Sequence, residues 1–317
     1  TFMERFNGIA VISTGSAVGS HTADNEEIAA AAGTTDEWIV ERTGIHRRHY
    51  CAEGETTTTL AVSAARQALE RSGLEPEKIG LCVVATMTPE FATPSTACLI
   101  QSQLGLREDI ASYDINAACS GFLYALDNVR AQMYMNDIDY ALVIGSEKFS
   151  DILDMTDYGT AILFGDGAGA AVIARSDAPF YSLTCSRGSD VIWAKGPGSE
   201  PSVLHMQGRQ VFKFATTTIE KSINQILEKA GKTLDDVDHF ILHQANERII
   251  DFVVKRMKLD PAKVHKNIQR MGNTSAASIP ILLDETVSAG LIKKGDSVLS
   301  VGFGGGLTWA AVLTEWE

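Results

Sequence analysis

The chain has 317 residues, of which 45% are hydrophobic and 21% charged, with 40 acidic against 27 basic side chains and a formal net charge of −13. These proportions exclude a disordered or collagen-like chain and fit one large or two ordinary domains. The acidic balance excludes a general nucleic-acid binder.

No basic segment followed by an apolar stretch opens the chain, and no apolar run approaches the ~20 residues of a membrane helix. Neither a leader nor a membrane span is expected. The five cysteines (Cys51, Cys82, Cys98, Cys119 and Cys185) are odd in number, without a C-x-x-C pair or a nearby histidine cluster. Disulfides and a zinc site are therefore not expected, no metal is assigned, and a reducing cytoplasm fits best.

In chain order, the first clear signal is a helix end at Leu69-Glu70-Arg71-Ser72 with Gly73 as its stop. An acidic turn and the apolar strand Leu81–Ala85 follow. Ser112–Ile115 reads as a strand, Gly121–Leu126 as a helix apolar enough to be fully buried, and Tyr140–Ile144 as another strand. The run Phe164–Ala170 fits a loose G-x-G-x-x-A pattern but leads into Ala171–Ala174, which reads as a strand. A dinucleotide fingerprint needs a helix there, so that site is rejected. Arg175–Pro179 reads as a connecting loop, and 186–202 as an inserted surface loop rich in Gly, Ser and Pro. Leu227-Glu228-Lys229-Ala230-Gly231 is a second helix end, followed by the strand Phe240–Leu242. Ala276–Leu283 is a second buried helix, and Val298–Val301 is a strand running into Gly302-Phe303-Gly304-Gly305-Gly306. Continuous apolar strands of this kind are covered by helices on both faces.

The chain repeats itself. The stretch 69–85 matches 227–243 at an offset of 158, and 139–145 matches 296–302 at 157. Between them, Ala118-Cys119-Ser120-Gly121 falls opposite Thr274-Ser275-Ala276-Ala277 at 156. This order predicts a duplicated α/β unit, divided into halves at 1–174 and 175–317.

Three side chains carry chemistry in that frame. Cys119 stands at a helix start, where free N–H groups and the helix dipole favour thiolate, the nucleophilic form. His243 follows a strand at its carboxyl end, where ligands gather in α/β sheets. Asn273 precedes the second buried helix, a position an ordinary N-cap would also explain. Packing of the halves about a pseudo-twofold axis would bring Cys119 to His243 and Asn273, a nucleophile beside two polar partners. Cys82 and Cys98 lie in apolar runs and read as packing. The closing glycine run would let the backbone approach a ligand closely.

The segments Asn116–Gly121, His243–Asn246, Gly272–Ser278 and the final Gly-Phe-Gly-Gly-Gly resemble the β-ketoacyl-acyl-carrier-protein synthase III family. Thr35–Ile39, Arg42–Ile45 and Phe164–Gly169 match that family too. The resemblance implies the thiolase-like α/β fold, two αβαβα halves in five layers, assembled as a homodimer. It implies that Cys119 takes the acyl group of a short acyl-CoA as a thioester, with the backbone N–H groups of Cys119 and Gly305 as oxyanion hole. His243 and Asn273 would stabilise the enolate left when malonyl-acyl carrier protein loses carbon dioxide. Acyl-CoA is then a substrate, and no cofactor is implied. By the same carry-over, Trp38 and Arg42 would bracket the adenine, Asn246 would bond the pantetheine arm, and Arg248 would stand at the tunnel mouth. Tyr158 replaces a frequent family Arg at the nucleotide grip. Thr93 and Phe303 would border the acyl pocket.

Residues 248–270 hold seven cations against two carboxylates, a net +5 within an acidic chain. Arg248, Lys255 and Arg256 of this stretch would receive the acidic carrier protein. The competing readings are a condensing enzyme of secondary metabolism, polyketide or quinolone-like, a cysteine thioesterase, and a non-catalytic acyl-carrier binder.

Overall fold

A computed structural model describes residues 8–196, 199 and 203–317. The first seven residues, where no leader is expected, and part of the 186–202 segment lie outside the described residues. The first half contains β1 (Gly8–Val18), β2 (His21–Asp24), α1 (Asn25–Ala32), α2 (Asp36–Thr43), β3 (Arg47–Tyr50), α3 (Thr57–Ser72), β4 (Ile79–Ala85), α4 (Thr96–Leu104), β5 (Ala111–Ile115), α5 (Gly121–Met135), β6 (Tyr140–Glu147) and β7 (Gly167–Ser176). The second contains β8 (Phe180–Ser186), β9 (Ile192–Trp193), β10 (His205–Met206), α6 (Gly208–Ala230), β11 (His239–Leu242), α7 (Glu247–Met257), α8 (Ile268–Met271), α9 (Ser278–Ser288), β12 (Ser297–Gly304) and β13 (Thr308–Glu315).

The first sheet has the order β1-β7-β6-β4-β5, and the second β8-β13-β12-β11. Parallel pairs (β4 with β5 and β6, β11 with β12) continue into antiparallel ones through β7 and β13. The sheets correspond strand for strand, except that the counterpart of β5 is reduced to one parallel bridge between Phe240 and Val264. Helix α3 packs on β1, β6 and β7, and α4 on β4 and β5, while α6 covers β8, β12 and β13 and packs on α7. Between the sheets lie α5, touching β4 and β6 on one side and β8, β12 and β13 on the other, and α9, against β1, β6, β7 and β11. Every residue of α9 from Ser278 to Asp284 is buried, as a helix sandwiched by two sheets requires.

The expected strands are present and mostly longer than their apolar cores. Two boundaries differ from expectation. Arg175 still pairs in β7 with Ile9, so the turn between the sheets is 177–179. The final glycine run does not follow its strand. Gly302, Phe303 and Gly304 continue β12, paired with Ala310, Trp309 and Thr308. Within 186–202, Val191 is buried and Ile192–Trp193 pairs with His205–Met206. A bare surface loop is therefore the wrong description for that part.

The backbone also corrects the repeat register. The 3₁₀ turns Ala118–Ser120 and Ser275–Ala277 open α5 and α9. Their first residues, Ala118 (φ 47°) and Ser275 (φ 52°), share the left-handed conformation. The offset there is 157, Cys119 matches Ala276, and Asn273 lies three residues before the matching position, not two.

Candidate active site

The two sheets leave one large cavity of about 830 Å³ where their parallel strands end. Cys119, Asn116 and Ala118 line it from the first half, and His243, Asn273 and the run Phe303–Gly306 from the second. The sequence-expected trio thus lines one cavity.

Cys119 follows β5 on its 3₁₀ turn and is half-buried. A Cβ at position 304 would lie 2.7 Å from its backbone N and 2.8 Å from its Cβ. Gly304 is needed because β12 passes directly against the cysteine. The glycine run admits the protein's own nucleophile segment there, rather than a ligand. Burial pushes the Cys119 thiol up to about 12. The Ser275 hydroxyl opposes this, and the Glu147 carboxylate adds to it. The expected preference for thiolate is therefore absent in the resting site. A helix terminus offers about 0.3–1 kcal/mol, which desolvation of a charged sulfur exceeds.

His243 is held by its backbone N–H to the Val301 carbonyl at 2.9 Å, and its ring meets Phe303 edge-on at 5.1 Å. Burial lowers its pKa to about 3, so the imidazole is neutral. Its Nδ1 is buried without a partner among the described residues, leaving Nε2 as the nitrogen able to reach the cavity. Asn273 is clamped by its backbone between the Leu163 carbonyl (2.8 Å) and the Gly165 amide (3.0 Å). Its Oδ1 accepts from the Ser275 amide at 2.9 Å. The amide Nδ2 is thereby the donor left for a ligand. The Phe164–Gly169 run serves this clamp and leads into β7, which agrees with the absence of a dinucleotide fingerprint.

At the mouth, the Arg42 guanidinium lies 5.2 Å over the Trp38 ring, and Tyr158 meets Trp38 edge-on at 5.8 Å. Stacked rings need ~4.5 Å or more on each side, so no base fits between Trp38 and Arg42 in this arrangement. Asn246 caps α7 through the Arg248 amide and ties its Nδ2 to the Arg42 carbonyl at 3.0 Å. Its side chain thus fixes the mouth, with one amide hydrogen left over. Arg248 lines the cavity and is exposed. Phe303 lines the inner wall, but Thr93 is exposed on the segment between β4 and α4 and does not line the cavity.

The basic stretch 248–270 is more neutralised than its composition implies. Arg256 pairs with Glu220, Lys266 with Glu247 and Asp251, and Arg270 with Glu285. Lys263 donates to two backbone carbonyls. Lys255 and Arg256 both lie outside the cavity lining.

Several contributors escaped the sequence reading. Arg209, Phe212 and Trp193 line the mouth, and Met87, Leu204 and Met206 line the wall. Glu147 and Ser275 stand behind Cys119. A Glu at the carboxyl end of β6 was a readable signal under the strand-end rule. Ser275 was obscured by the one-residue register error. Among the described residues, no group of three or more His, Cys, Asp or Glu side chains could hold a metal, and no helix is long and apolar enough to cross a membrane.

Two packed copies of one α/β unit, with a cysteine delivered by one and a histidine and asparagine by the other, define a condensing acyltransferase of the thiolase-like fold. Comparison with known proteins narrows this further. Residues 113–190 match the family model described as 3-oxoacyl-[acyl-carrier-protein] synthase III, and residues 227–316 match its C-terminal model. The curated β-ketoacyl-[acyl-carrier-protein] synthase III of Acholeplasma laidlawii is 47% identical over 311 residues, 96% of this chain and 97% of that one. The Clostridium perfringens protein of the same name is 44% identical over 308 residues, covering 92% and 94%. The crystal structure of the Aquifex aeolicus 3-oxoacyl-[acyl-carrier-protein] synthase III superposes with a TM-score of 0.93 at 41% identity, covering 98% of this chain and 100% of that one. The chain belongs to the β-ketoacyl-[acyl-carrier-protein] synthase III family.

Proposed function

We propose that Cys119 accepts a short acyl group from acyl-CoA and that malonyl-acyl carrier protein then condenses with it, releasing carbon dioxide. The observation that carries this reading is that Cys119, a neutral His243 with Nε2 free to donate, and Asn273 with Nδ2 free to donate line one cavity. Neutral donors suit a developing enolate oxygen, since they stabilise the new charge without neutralising it beforehand. Hydrolysis at a cysteine has no use for an enolate donor, which disfavours the thioesterase reading. The backbone amides of Cys119 and Gly305 serve as oxyanion hole.

The Cys119 sulfur bonds to the acyl carbon and coenzyme A leaves as its thiol. The malonyl carboxylate leaves as carbon dioxide, and its electron pair forms the enolate. That carbon attacks the acyl-enzyme, and Cys119 is released with the 3-ketoacyl carrier protein. Acyl-CoA lies along Trp38, Arg42, Tyr158, Asn246 and Arg248, with the adenine against the outer face of the Trp38–Tyr158 pair. The acidic carrier protein approaches Arg248 and Lys255, and a homodimer and a cytoplasmic location fit the family. The test is incubation with acetyl-CoA and malonyl-acyl carrier protein, read as carbon dioxide and as the mass of the ketoacyl product. Free acetate without carbon dioxide would instead indicate hydrolysis.

A further inference from the structure

Behind Cys119 lies a carboxylic acid that the condensation scheme does not use. Glu147, the last residue of β6, is 0% exposed. Its carboxyl accepts from Thr86 Oγ1 (3.2 Å), the Met87 amide (3.1 Å), the Thr88 amide (3.1 Å), Thr88 Oγ1 (2.5 Å) and Ser275 Oγ (3.2 Å). Every one of these donors is neutral, so no cation offsets its burial. The Ser275 hydroxyl also acts on the neighbouring Cys119 thiol, lowering its pKa, while the Glu147 carboxylate raises it. The Ser275 amide is fixed by Asn273, and Ser275 sits at φ 52°, a conformation uncommon for a residue with a Cβ. One hydroxyl thus bonds the carboxyl and adjoins the thiol.

We infer that Glu147 receives the Cys119 proton through Ser275 as the acyl-enzyme forms, and returns it by the same route when the ketoacyl product leaves. In the first half-reaction the thiol proton passes to Ser275 Oγ while the Ser275 proton passes to a Glu147 oxygen. The thiolate then bonds to the acyl carbon, and the departing coenzyme A thiolate takes a proton from solvent. In the second half-reaction Cys119 leaves as thiolate and recovers the proton held on Glu147. Neither oxidant nor additional base is required. Burial raises the Glu147 pKa to about 7, so both of its forms are accessible near neutral pH. The two groups titrate as a pair sharing one proton, of which the thiolate with neutral Glu147 is the reactive arrangement.

This inference rests on Cys119 being the acylated residue. The test is rapid-quench acetylation by acetyl-CoA between pH 6 and 9, with peptide mapping, for the parent enzyme, Ser275→Ala and Glu147→Gln. Ser275→Ala is the cleaner variant, because Ala118 already adopts the matching left-handed backbone at φ 47° and Glu147 keeps its other donors. Both variants are expected to acetylate Cys119 about 10²-fold more slowly, the usual scale of a lost acid–base route. Both should lose the rise in rate through pH 7, and their solvent deuterium isotope effect should fall towards 1, neither of which a purely structural role would cause. Acetylation of Cys119 in both variants at parental rate and pH profile overturns the relay and leaves the nucleophile intact. Slow acetylation in Ser275→Ala alone overturns Glu147 as the acceptor. Acetyl groups mapping away from Cys119 in the parent enzyme overturn the underlying reading instead.

Discussion

Asn116 and Asn273 make the same hydrogen bond in the two halves, each Oδ1 accepting the amide two residues on, Ala118 at 3.2 Å and Ser275 at 2.9 Å. Both lie at the cavity, and both precede a left-handed residue that opens a central helix. The duplicated scaffold therefore supplies two equivalent corners. Both carry the Asn, but only the first carries a cysteine: Cys119 stands where the second has Ala276. The asymmetry of the chemistry is a matter of side chains placed on a symmetric backbone.

That division of labour predicts separable half-reactions. His243→Ala and Asn273→Ala should still acylate Cys119, because neither side chain holds its sulfur. Decarboxylation of malonyl-acyl carrier protein should fall by about 10²–10³-fold, the cost of removing one donor from developing charge. Radiolabelled carbon dioxide release and Cys119 acylation, measured on the same variants, check this. Loss of acylation with decarboxylation intact would reverse the roles.

The contact between β12 and the nucleophile turn predicts that Gly304→Ala is disabling. The added Cβ would meet Cys119 N at 2.7 Å and Cys119 Cβ at 2.8 Å, atoms that cannot rotate away. Overpacking of this kind costs about 1–3 kcal/mol. Melting temperature should drop and acetylation of Cys119 should fall with it. By contrast, Gly305→Ala meets nothing closer than 3.6 Å and should fold normally.

The duplication and the strand cores were legible in the sequence, because apolar runs and glycine stops leave a local imprint, and the duplication was enough to expect Cys119, His243 and Asn273 at one cavity. What it hid depends on relations across the fold. The thiolate expectation weighed the helix terminus, a local feature, and missed the burial that pushes Cys119 up to about 12. The +5 stretch was counted along the chain, while Glu220 and Glu285, which neutralise Arg256 and Arg270, come from α6 and α9. Thr93 was placed by analogy, and in the single chain it is exposed and outside the cavity lining. Trp38 and Arg42 were read as two sides of a slot; in the structure the guanidinium lies over the ring at 5.2 Å.

Two buried groups should set the acid side of stability in opposite directions. His243 has its pKa lowered from 6.5 to about 3, so the unfolded chain takes the proton first as pH falls. Its contribution is complete above 6.5 and is lost down to about 3. Glu147 is raised from 4.5 to about 7, so its contribution is complete below 4.5 and is lost as pH rises to about 7. Between pH 4.5 and 6.5 the two slopes, each ~1.4 kcal/mol per pH unit, cancel. Urea unfolding of His243→Gln should therefore show stability falling with pH across that window. Glu147→Gln should show it rising. Parallel curves for both variants would mean that neither group titrates as its burial requires.

The carrier-protein surface can be tested more sharply than composition allows. Arg256 is engaged with Glu220, so Arg256→Glu would break an ion pair as well as alter the surface, and its effect would be mixed. Lys255 is exposed, lies outside the cavity lining and makes no ion pair among the described residues. Lys255→Glu should raise the apparent KM for malonyl-acyl carrier protein several-fold and flatten its dependence on ionic strength, because steering between unlike charges is screened by salt. Acetyl transfer from acetyl-CoA should stay within twofold of the parent rate. Arg248 lies on the cavity lining, so Arg248→Glu is expected to impair both half-reactions. Measuring each half-reaction at two salt concentrations separates the cases. Unchanged KM and salt dependence in Lys255→Glu would remove Lys255 from the docking surface and leave the cations of the cavity lining, Arg42, Arg209 and Arg248, as the candidates for it.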